Sequence, residues 1–271
     1  MASGSVTTKD FTEENKRFFN EHAAGYELRI AHTTLMQTVG EEILASRDWS
    51  GVAWDENSTR MLDYACGTGL VSRVLAPYTK QLIGMDISEG MVEQFNQKVD
   101  NQGIHSEEMR AIVANLCADE EDLVVSGSEY YDFDVAISTF AFHHFNNVPL
   151  AIKRVVERLK QKTGVLLIVD FRTHKPIQFG HHEHHHHQHH HKEHDNTQSK
   201  LMNPHDGAHT VTHSGFSEEE ITRWYEEAGL VDVEIVDVGP GTGITIVGGG
   251  PNTGEESELQ RSVFMAKGRR A

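Results

Sequence analysis

The stretch that decides the fold reads Met61-Leu-Asp-Tyr-Ala-Cys-Gly-Thr-Gly-Leu-Val-Ser-Arg-Val-Leu75, and Leu82-Ile-Gly-Met-Asp-Ile-Ser88 follows it. Its first apolar run ends in a small-residue turn with Gly67 and Gly69, and a helix-like pattern comes next. The second apolar run ends in an acid, Asp86. Such glycines let the backbone approach a ligand closely, and a carboxylate about 20 residues later typically holds a ribose hydroxyl pair. The stretch therefore predicts a site for a nucleoside cofactor.

Two residues of this stretch discriminate between nucleoside cofactors. The dinucleotide fingerprint needs three glycines at G-x-G-x-x-G/A spacing, and its third position here is Ser72. The acid Asp63 lies in the first turn, where it would repel a pyrophosphate but attract a positive amino group and a sulfonium. The pattern therefore favours S-adenosylmethionine over NAD.

Two motifs in these runs resemble those of a known family. L-D-x-A-C-G-T-G, followed by G-M-D-I-S, is similar to motifs I and II of class I S-adenosylmethionine-dependent methyltransferases. Within that family the chain most resembles the ubiquinone/menaquinone C-methyltransferase-like branch. It departs at Ala65, where many members have glycine. The resemblance implies an enzyme that uses S-adenosyl-L-methionine and releases S-adenosyl-L-homocysteine.

Composition and charge exclude several classes of function. The 271 residues carry a formal net charge of −17, which disfavours a polyanionic partner such as DNA or RNA. No apolar stretch reaches the roughly 20 residues that span a bilayer, and the N-terminus lacks a signal-peptide core. Cys66 and Cys117 are the only cysteines, which indicates a reducing compartment. We expect a cytoplasmic protein, or one that is nuclear with its partners.

Hydrophobic periodicity divides the chain into three parts. Residues 1–10 predict a disordered tail, residues 11–50 an N-terminal helical cap, and residues 51–271 the methyltransferase domain. In that domain strands and helices alternate, which predicts an α/β fold, Rossmann-like and doubly wound, with its ligand at the carboxyl ends of parallel strands. The predicted strands are 60–64, 81–86, 109–114, 133–138 and 164–170, and the helices between them are 69–75, 88–102, 118–125 and 148–160.

The last third of the chain breaks this alternation. Residues from about 173 to 214 predict a substrate-side insertion. A capped amphipathic helix then begins at Ser217 and ends at Gly229. Strands are predicted over 231–238 and 262–267, with a loop rich in glycine and proline over 239–254. The resemblance implies that these strands complete a mostly parallel seven-stranded sheet.

Two acids and three uncharged residues are the main candidates for holding the cofactor. Asp63 would steer its methionine end, directly or through water, or would only cap the following turn. Asp86 would accept both ribose hydroxyls, or would cap the next helix. Ile87 and Met91 would flank adenine or fill the core, and Asn115, which the resemblance places at the adenine amino group, would recognise it or stabilise a turn. The full set of candidates is Tyr26, Asp63, Ala65, Gly67, Gly69, Asp86, Ile87, Met91, Asn115, Leu116, Ser138 and Phe140.

Three histidines are candidates for catalysis. His143 and His144 lie in a stretch that, in the resembled family, lines the methionine end and the entrance for the acceptor. Either imidazole could act as a general base because it titrates near neutrality, or it could be a structural residue at a helix start. His213 precedes a stretch that lies near the substrate opening in this branch. Methyl transfer depends mainly on aligning and desolvating the nucleophile, so a base is not required for the enzyme.

A histidine tract lies inside the predicted insertion. His181–His194 contains 10 histidines in 14 positions. This ligand density suits zinc, nickel or copper, but no fixed ligand spacing is apparent, so no metal ligand is assigned. The alternative is a solvated, flexible segment beside the acceptor site.

The sequence thus predicts a methyltransferase that acts on a small molecule by in-line transfer to an O, N, S or C nucleophile. The alternative is a protein methyltransferase, or a regulatory subunit of the same fold, that works in a protein complex or as a homodimer. A third, weaker alternative is an NAD-dependent oxidoreductase, which Ser72 and Asp63 both oppose.

Overall fold

The computed structural model describes residues 11–28, 30–118, 122–173, 208–238, 244–249 and 256–271. The α-helices are α1 (Phe11–His22), α2 (Ile30–Ala45), α3 (Arg47–Ser50), α4 (Leu70–Leu75), α5 (Glu89–Asn101), α6 (Val148–Val156) and α7 (Glu218–Glu227). The strands are β1 (Asp55–Tyr64), β2 (Thr79–Asp86), β3 (Met109–Val113), β4 (Val135–Thr139), β5 (Val165–Phe171), β6 (Leu230–Asp237), β7 (Ile244–Gly249), β8 (Glu256–Arg261) and β9 (Val263–Arg270). Short 3-10 helices cover Ala23–Leu28, Ala76–Tyr78, Leu123–Val125, Ser128–Tyr130, Phe142–His144 and Ala208–Thr210.

Seven strands form one sheet in the order β3-β2-β1-β4-β5-β9-β6. Strands β1 to β5 are parallel, and β9 runs antiparallel to both β5 and β6. Strand order reverses between β1 and β4, because β2 and β3 lie on one side of β1 while β4 and β5 lie on the other. The predicted class, a Rossmann-like and mostly parallel seven-stranded sheet, is confirmed.

Each face of the sheet has its own hydrophobic core. Along β1, Met61 belongs to the core on one face, and Leu62 and Tyr64 belong to the core on the other. These three side chains are at most 2% exposed, so both faces of β1 are buried. Burial on both faces is why the strands read as continuous apolar runs.

Side-chain caps define where two of the helices begin. Ser88 accepts a hydrogen bond from the N–H of Met91 at the start of α5, where Asp86 ends the preceding strand. Ser217 and Glu220 form a reciprocal capping box at the start of α7, as the sequence pattern predicts. Because Ser88 is the N-cap of α5, Asp86 is not the N-cap of that helix, which was the alternative role considered for it.

Three predicted elements differ from those observed. The glycine- and proline-rich loop over 239–254 was predicted wrongly in part, because residues 244–249 form β7, which pairs with β8 and is rich in β-branched residues. The helix predicted over 118–125 is reduced to the 3-10 turn Leu123–Val125 in the described part of that range. Helix α6 ends at Val156, since Arg158 and Lys160 exchange backbone hydrogen bonds with Phe133 beside the sheet.

Some predictions fall on residues that the structure does not describe. These are the N-terminal tail and the tract His181–His194, both of which lie outside the described residues. Among the described helices, none is long and apolar enough to cross a bilayer.

Candidate functional site

A cavity lies at the carboxyl ends of the parallel strands, where strand order reverses between β1 and β4. The volume outside the protein atoms is about 1020 Å³, and this volume includes open solvent at the mouth of the cavity. Helices α1 and α2, with the 3-10 turn between them, form its roof. Its lining comprises Thr12, Asn15, Phe19, Tyr26, His32, Met36, Tyr64, Ala65, Cys66, Gly67, Thr68, Leu70, Val71, Asp86, Ile87, Met91, Asn115, Cys117, Thr139, Phe140, Ala141, His144, Phe145 and Asn146.

The turn after β1 takes an unusual backbone path. Ala65, Gly67 and Gly69 have φ angles of 58°, 52° and 80°, in the left-handed region that favours glycine. A Cβ added to Gly67 would meet no atom within 4 Å, whereas one added to Gly69 would lie 2.6 Å from ring carbons of Phe95. Gly67 therefore leaves open space for a ligand, and Gly69 allows α5 to pack closely against the turn.

Asp86 connects this turn to the start of α5. Its Oδ2 accepts the N–H of Gly67 at 2.9 Å, and its Oδ1 accepts the N–H of Ser88 at 2.9 Å. Burial raises the pKa of Asp86, and these backbone donors oppose the shift. Because a carboxylate oxygen has two acceptor sites, each oxygen can accept one further hydrogen bond. Asp86 is thus equipped to accept a pair of hydroxyls.

Asp63 lies beneath the turn and does not line the cavity. Its carboxylate accepts a short hydrogen bond from the hydroxyl of Ser72 in α4. Burial raises the pKa of Asp63 to about 7, although the Ser72 hydroxyl opposes the shift. The structure therefore shows Asp63 neither in contact with the cavity nor as a side-chain cap of α4.

The ends of β3 and β4 contribute only some of the predicted residues. Asn115 and Phe140 line the cavity, while Leu116 and Ser138 are buried outside it. Asn115 Oδ1 accepts the N–H of Cys117 at 2.9 Å, which is the turn-forming role weighed for it, and the residue still faces the cavity. Leu116 packs in one of the two hydrophobic cores, and Ser138 is buried in β4, where its neighbour Thr139 faces the cavity instead.

His143 and His213 also lie outside the lining. His143 Nδ1 is 2.8 Å from Asp170 Oδ1 at the end of β5. The backbone N–H of His213 donates to the carbonyl of His143, and its ring Nε2 is 3.2 Å from the carbonyl oxygen of Phe145. The His213 ring therefore holds residues 208–214 against the loop that follows β4, whereas the His143 ring ties that loop to Asp170 in β5.

His144 does line the cavity. Its Nδ1 is 3.0 Å from the carbonyl oxygen of Thr210 and 3.1 Å from the Thr210 hydroxyl; because the carbonyl can only accept, this arrangement favours a proton on Nδ1 and leaves Nε2 as an acceptor. Burial, together with the neighbouring ring of His143, lowers the pKa of His144 to about 3. The ring is neutral near pH 7 and is a weak base.

A carboxylate of the cap ties the roof of the cavity to the glycine turn. Glu27 accepts the hydroxyl of Thr68 at 2.5 Å and pairs with Arg73 at 3.0 Å and Lys98 at 3.2 Å. Burial raises the pKa of Glu27, but the Thr68 hydroxyl and the two cations together lower it by more than burial raises it, so the net shift is downward. The adjacent Tyr26 lines the cavity.

A family model described as a methyltransferase domain matches residues 47–235 of the chain. The chain belongs to this methyltransferase family. The match covers the glycine turn, Asp86 and every strand that lines the cavity. It confirms the predicted enzyme class and S-adenosylmethionine as the cofactor, and it does not support the oxidoreductase alternative. The ubiquinone/menaquinone branch stays a prediction.

Relatives in sequence and structure agree with this methyltransferase assignment. An uncharacterized methyltransferase of Schizosaccharomyces pombe is 30% identical over 185 residues, which are 68% of this chain and 57% of that protein. An S-adenosylmethionine-dependent methyltransferase from Clostridium acetobutylicum has a similar fold, with a TM-score of 0.59, 15% identity, and coverage of 93% of this chain and 99% of that one. The chain spans about half the length of the curated relatives it matches.

A third similar structure is a protein complex. It contains the Haloferax volcanii Trm112 methyltransferase activator and a methyltransferase. The similarity has a TM-score of 0.58 at 13% identity and covers 93% of this chain and 96% of that one. At this identity the likeness shows that the methyltransferase fold is shared.

The cavity of this methyltransferase fits S-adenosylmethionine in its chemistry. Asp86 offers acceptors for a ribose diol, and Gly67 leaves the space that a Cβ would fill. Ile87 and Met91 line the wall beside Asp86 and supply apolar surface for a base. Among the described residues, no group of three histidines, cysteines or acids is placed to hold a metal ion.

The sequence pattern missed the roof of the methyltransferase cavity. Residues of α1 and α2 read as ordinary amphipathic helix, and nothing in their spacing distinguishes a cavity face from a core face. One signal was present: Asn15 is a polar residue on the buried face of α1, between Phe11 and Phe18. The roof residues absent from the prediction are Thr12, Asn15, Phe19, His32 and Met36.

Proposed function

We propose that the chain transfers a methyl group from S-adenosylmethionine to a small molecule, at an O, N, S or C nucleophile. The observation that carries this proposal is the continuous cavity, which runs from Gly67 and Asp86 to a chamber between the N-terminal helices and the loop after β4. Asn15 and Phe19 from α1, with Met36 from α2, close that chamber over the strand ends. A covered chamber suits a small acceptor better than a protein chain.

The chain's own residues position the reactants and exclude water. When bound, S-adenosylmethionine would supply an electrophilic methyl group, whose bond to sulfur breaks as its bond to the acceptor nucleophile forms, with the thioether S-adenosylhomocysteine as the leaving group. Asp86 accepts the ribose hydroxyls and so fixes the position of the methyl group along the cavity. The roof keeps the acceptor nucleophile dry and about 3 Å from that methyl group. His144 accepts a hydrogen bond from the acceptor, because its surroundings lower its proton affinity too far for an effective general base.

The cofactor end of the proposal predicts a change in binding when Asp86 is replaced. Asp86→Ala should weaken S-adenosylhomocysteine binding at least tenfold, because a charged hydrogen bond contributes about 1.5–3 kcal/mol. Titration calorimetry measures this effect. Asp100→Ala, which removes an exposed carboxylate of α5, is the matched control and should bind like the wild type. Micromolar binding of NADH without binding of S-adenosylhomocysteine would contradict the proposal.

The acceptor end is tested with labelled methyl groups. Wild-type chain and Asp86→Ala are each incubated with cell extract and S-adenosylmethionine labelled in its methyl group, and the extract is then separated by ultrafiltration. We expect label in the small-molecule filtrate for the wild type, and much less for the variant. Label confined to protein would instead support a protein methyltransferase.

A second candidate function is action within a protein complex, as a protein methyltransferase or as a regulatory subunit. It is favoured by apolar side chains exposed near the edge strand β3: Leu123 is 82% exposed and Val124 is 65% exposed. The structurally similar methyltransferase bound to an activator supports the same alternative. Size-exclusion chromatography with mass spectrometry of the purified chain distinguishes a monomer, a homodimer and a stable complex.

A further inference from the structure

One buried polar atom, on a residue that lines the cavity, has no hydrogen-bond partner among the described residues. Asn15 is 4% exposed and lines the cavity from α1. Its Nδ2 donates to the carbonyl oxygen of His144 at 3.1 Å, and this carbonyl can only accept, so the orientation of the amide is determined. The other amide atom, Oδ1, accepts no hydrogen bond from any described residue. Since buried polar atoms are nearly always paired, Asn15 Oδ1 is suited to a donor on a ligand.

A second acceptor belongs to the same wall. The hydrogen bond from Nδ1 of His144 to Thr210 leaves Nε2 of that ring as an acceptor. The ring is neutral near pH 7, because burial and the ring of His143 lower the pKa of His144 to about 3. The Asn15 amide donates directly to the His144 backbone, so one hydrogen bond links the residues that carry the two acceptors.

The charge of the lining restricts what this wall can bind. Asp86 is the one carboxylate among the described lining residues, and the lining contains no described lysine or arginine. An anionic acceptor would lose its hydration without gaining a cationic partner, which is unfavourable. Beside Asn15, the side chains of Phe19, Met36 and Phe145 supply apolar surface of a size that suits a ring.

We propose that Asn15 and His144 form the recognition point for the methyl acceptor, which is an uncharged or cationic small molecule with an O–H or N–H donor beside an apolar body. This inference rests on the proposed methyl-transfer function. It assigns Asn15 as a positioning residue, and it disfavours acceptors that present a phosphate or a carboxylate to this wall.

The test uses four related probes on chain saturated with S-adenosylhomocysteine. Benzyl alcohol and benzylamine carry a donor, benzyl methyl ether lacks one, and benzoate is an anion. Saturation-transfer NMR titrations should show benzyl alcohol and benzylamine binding more tightly than the ether by about fivefold, the effect of one neutral hydrogen bond. Benzoate should bind most weakly. Equal binding of benzoate and benzyl alcohol, or no binding of any probe, would overturn the inference.

Two variants separate recognition from structure. Asn15→Leu should weaken benzyl alcohol about fivefold and leave the ether unchanged within about twofold. Asn15→Asp keeps the size and an acceptor oxygen but adds a charge, so it should shift preference toward benzylamine over benzyl alcohol by about fivefold. Asn101→Leu, at an exposed asparagine of α5, is the control and should match the wild type. A purely structural role for Asn15 would move all four probes together.

Binding of S-adenosylhomocysteine, measured on each variant by calorimetry, separates the two possible failures. If the wild type does not bind it, the proposed methyl-transfer function fails. If all variants bind S-adenosylhomocysteine and substitution of Asn15 leaves the relative affinities of the four probes unchanged, only the assignment of Asn15 fails.

Discussion

Replacing Gly69 by alanine is expected to lower the free energy of unfolding by about 3 kcal/mol. Gly69 has a φ of 80°, where a residue with a Cβ is less stable by about 1–2 kcal/mol. Its new methyl group would also lie 2.6 Å from the buried ring of Phe95, and overpacking of this kind costs about 1–3 kcal/mol. Denaturant unfolding measures the loss.

Gly67→Ala is the matched control for this prediction. Gly67 also has a positive φ, but its added methyl group meets no atom within 4 Å. Its cost in stability should be limited to about 1–2 kcal/mol of backbone strain. The methyl group would instead take up space that the cofactor needs, so binding of S-adenosylhomocysteine should weaken. If the two alanine variants had the same stability, the close packing of Phe95 against Gly69 would be disproved.

The second large effect concerns the dependence of stability on pH at Asp63. Burial raises the pKa of this carboxyl from 3.8 to about 7, so the folded chain retains a proton that the unfolded chain has already lost. The contribution of Asp63 to stability is therefore lost as pH rises from about 4 to about 7. Between pH 5 and pH 8 the loss is on the order of 3 kcal/mol, at about 1.4 kcal/mol for each pH unit of the window.

Asp63→Asn removes this titration and keeps the size of the side chain. The free energy of unfolding of the variant, relative to that of the wild type, should therefore rise by about 3 kcal/mol from pH 5 to pH 8. Urea unfolding at the two pH values measures the difference. Asp100→Asn, at an exposed aspartate, controls for the loss of a carboxyl group. A constant difference between variant and wild type would show that Asp63 is not protonated in the folded chain near neutral pH.

The cofactor end of the site was largely predictable because its residues are close in the chain. The turn with Gly67 and the acid Asp86 are 19 positions apart, and both follow strands that are recognisable from their apolar runs. Positions at the carboxyl ends of parallel strands meet at one edge, so a local pattern locates a tertiary site. Ala65 lies in the cavity by the same rule, and so do Met91, at the start of the following helix, and Asn115, which the resemblance indicated.

The prediction was less accurate where a side chain's direction depends on distant packing. His143 and His144 are neighbours in the chain, yet His143 pairs with Asp170 while His144 faces the cavity. The polarity of a residue and its nearness to a motif do not say which way it points. For Asp63 the sequence indicated a charge, but its burial raises its pKa to about 7 although the Ser72 hydroxyl favours the charged form.

By itself, the sequence predicted the parallel strands and the glycine turn, because strand periodicity and turn chemistry are local properties, while its resemblance to a family indicated the closing strands and the methyl donor. Only the tertiary structure decided the roof of the cavity. Asn15 and His144 are 129 positions apart, and they meet because α1 packs over the strand ends. Which helical residues face a cavity and which face solid core depends on that packing and leaves no periodicity of its own.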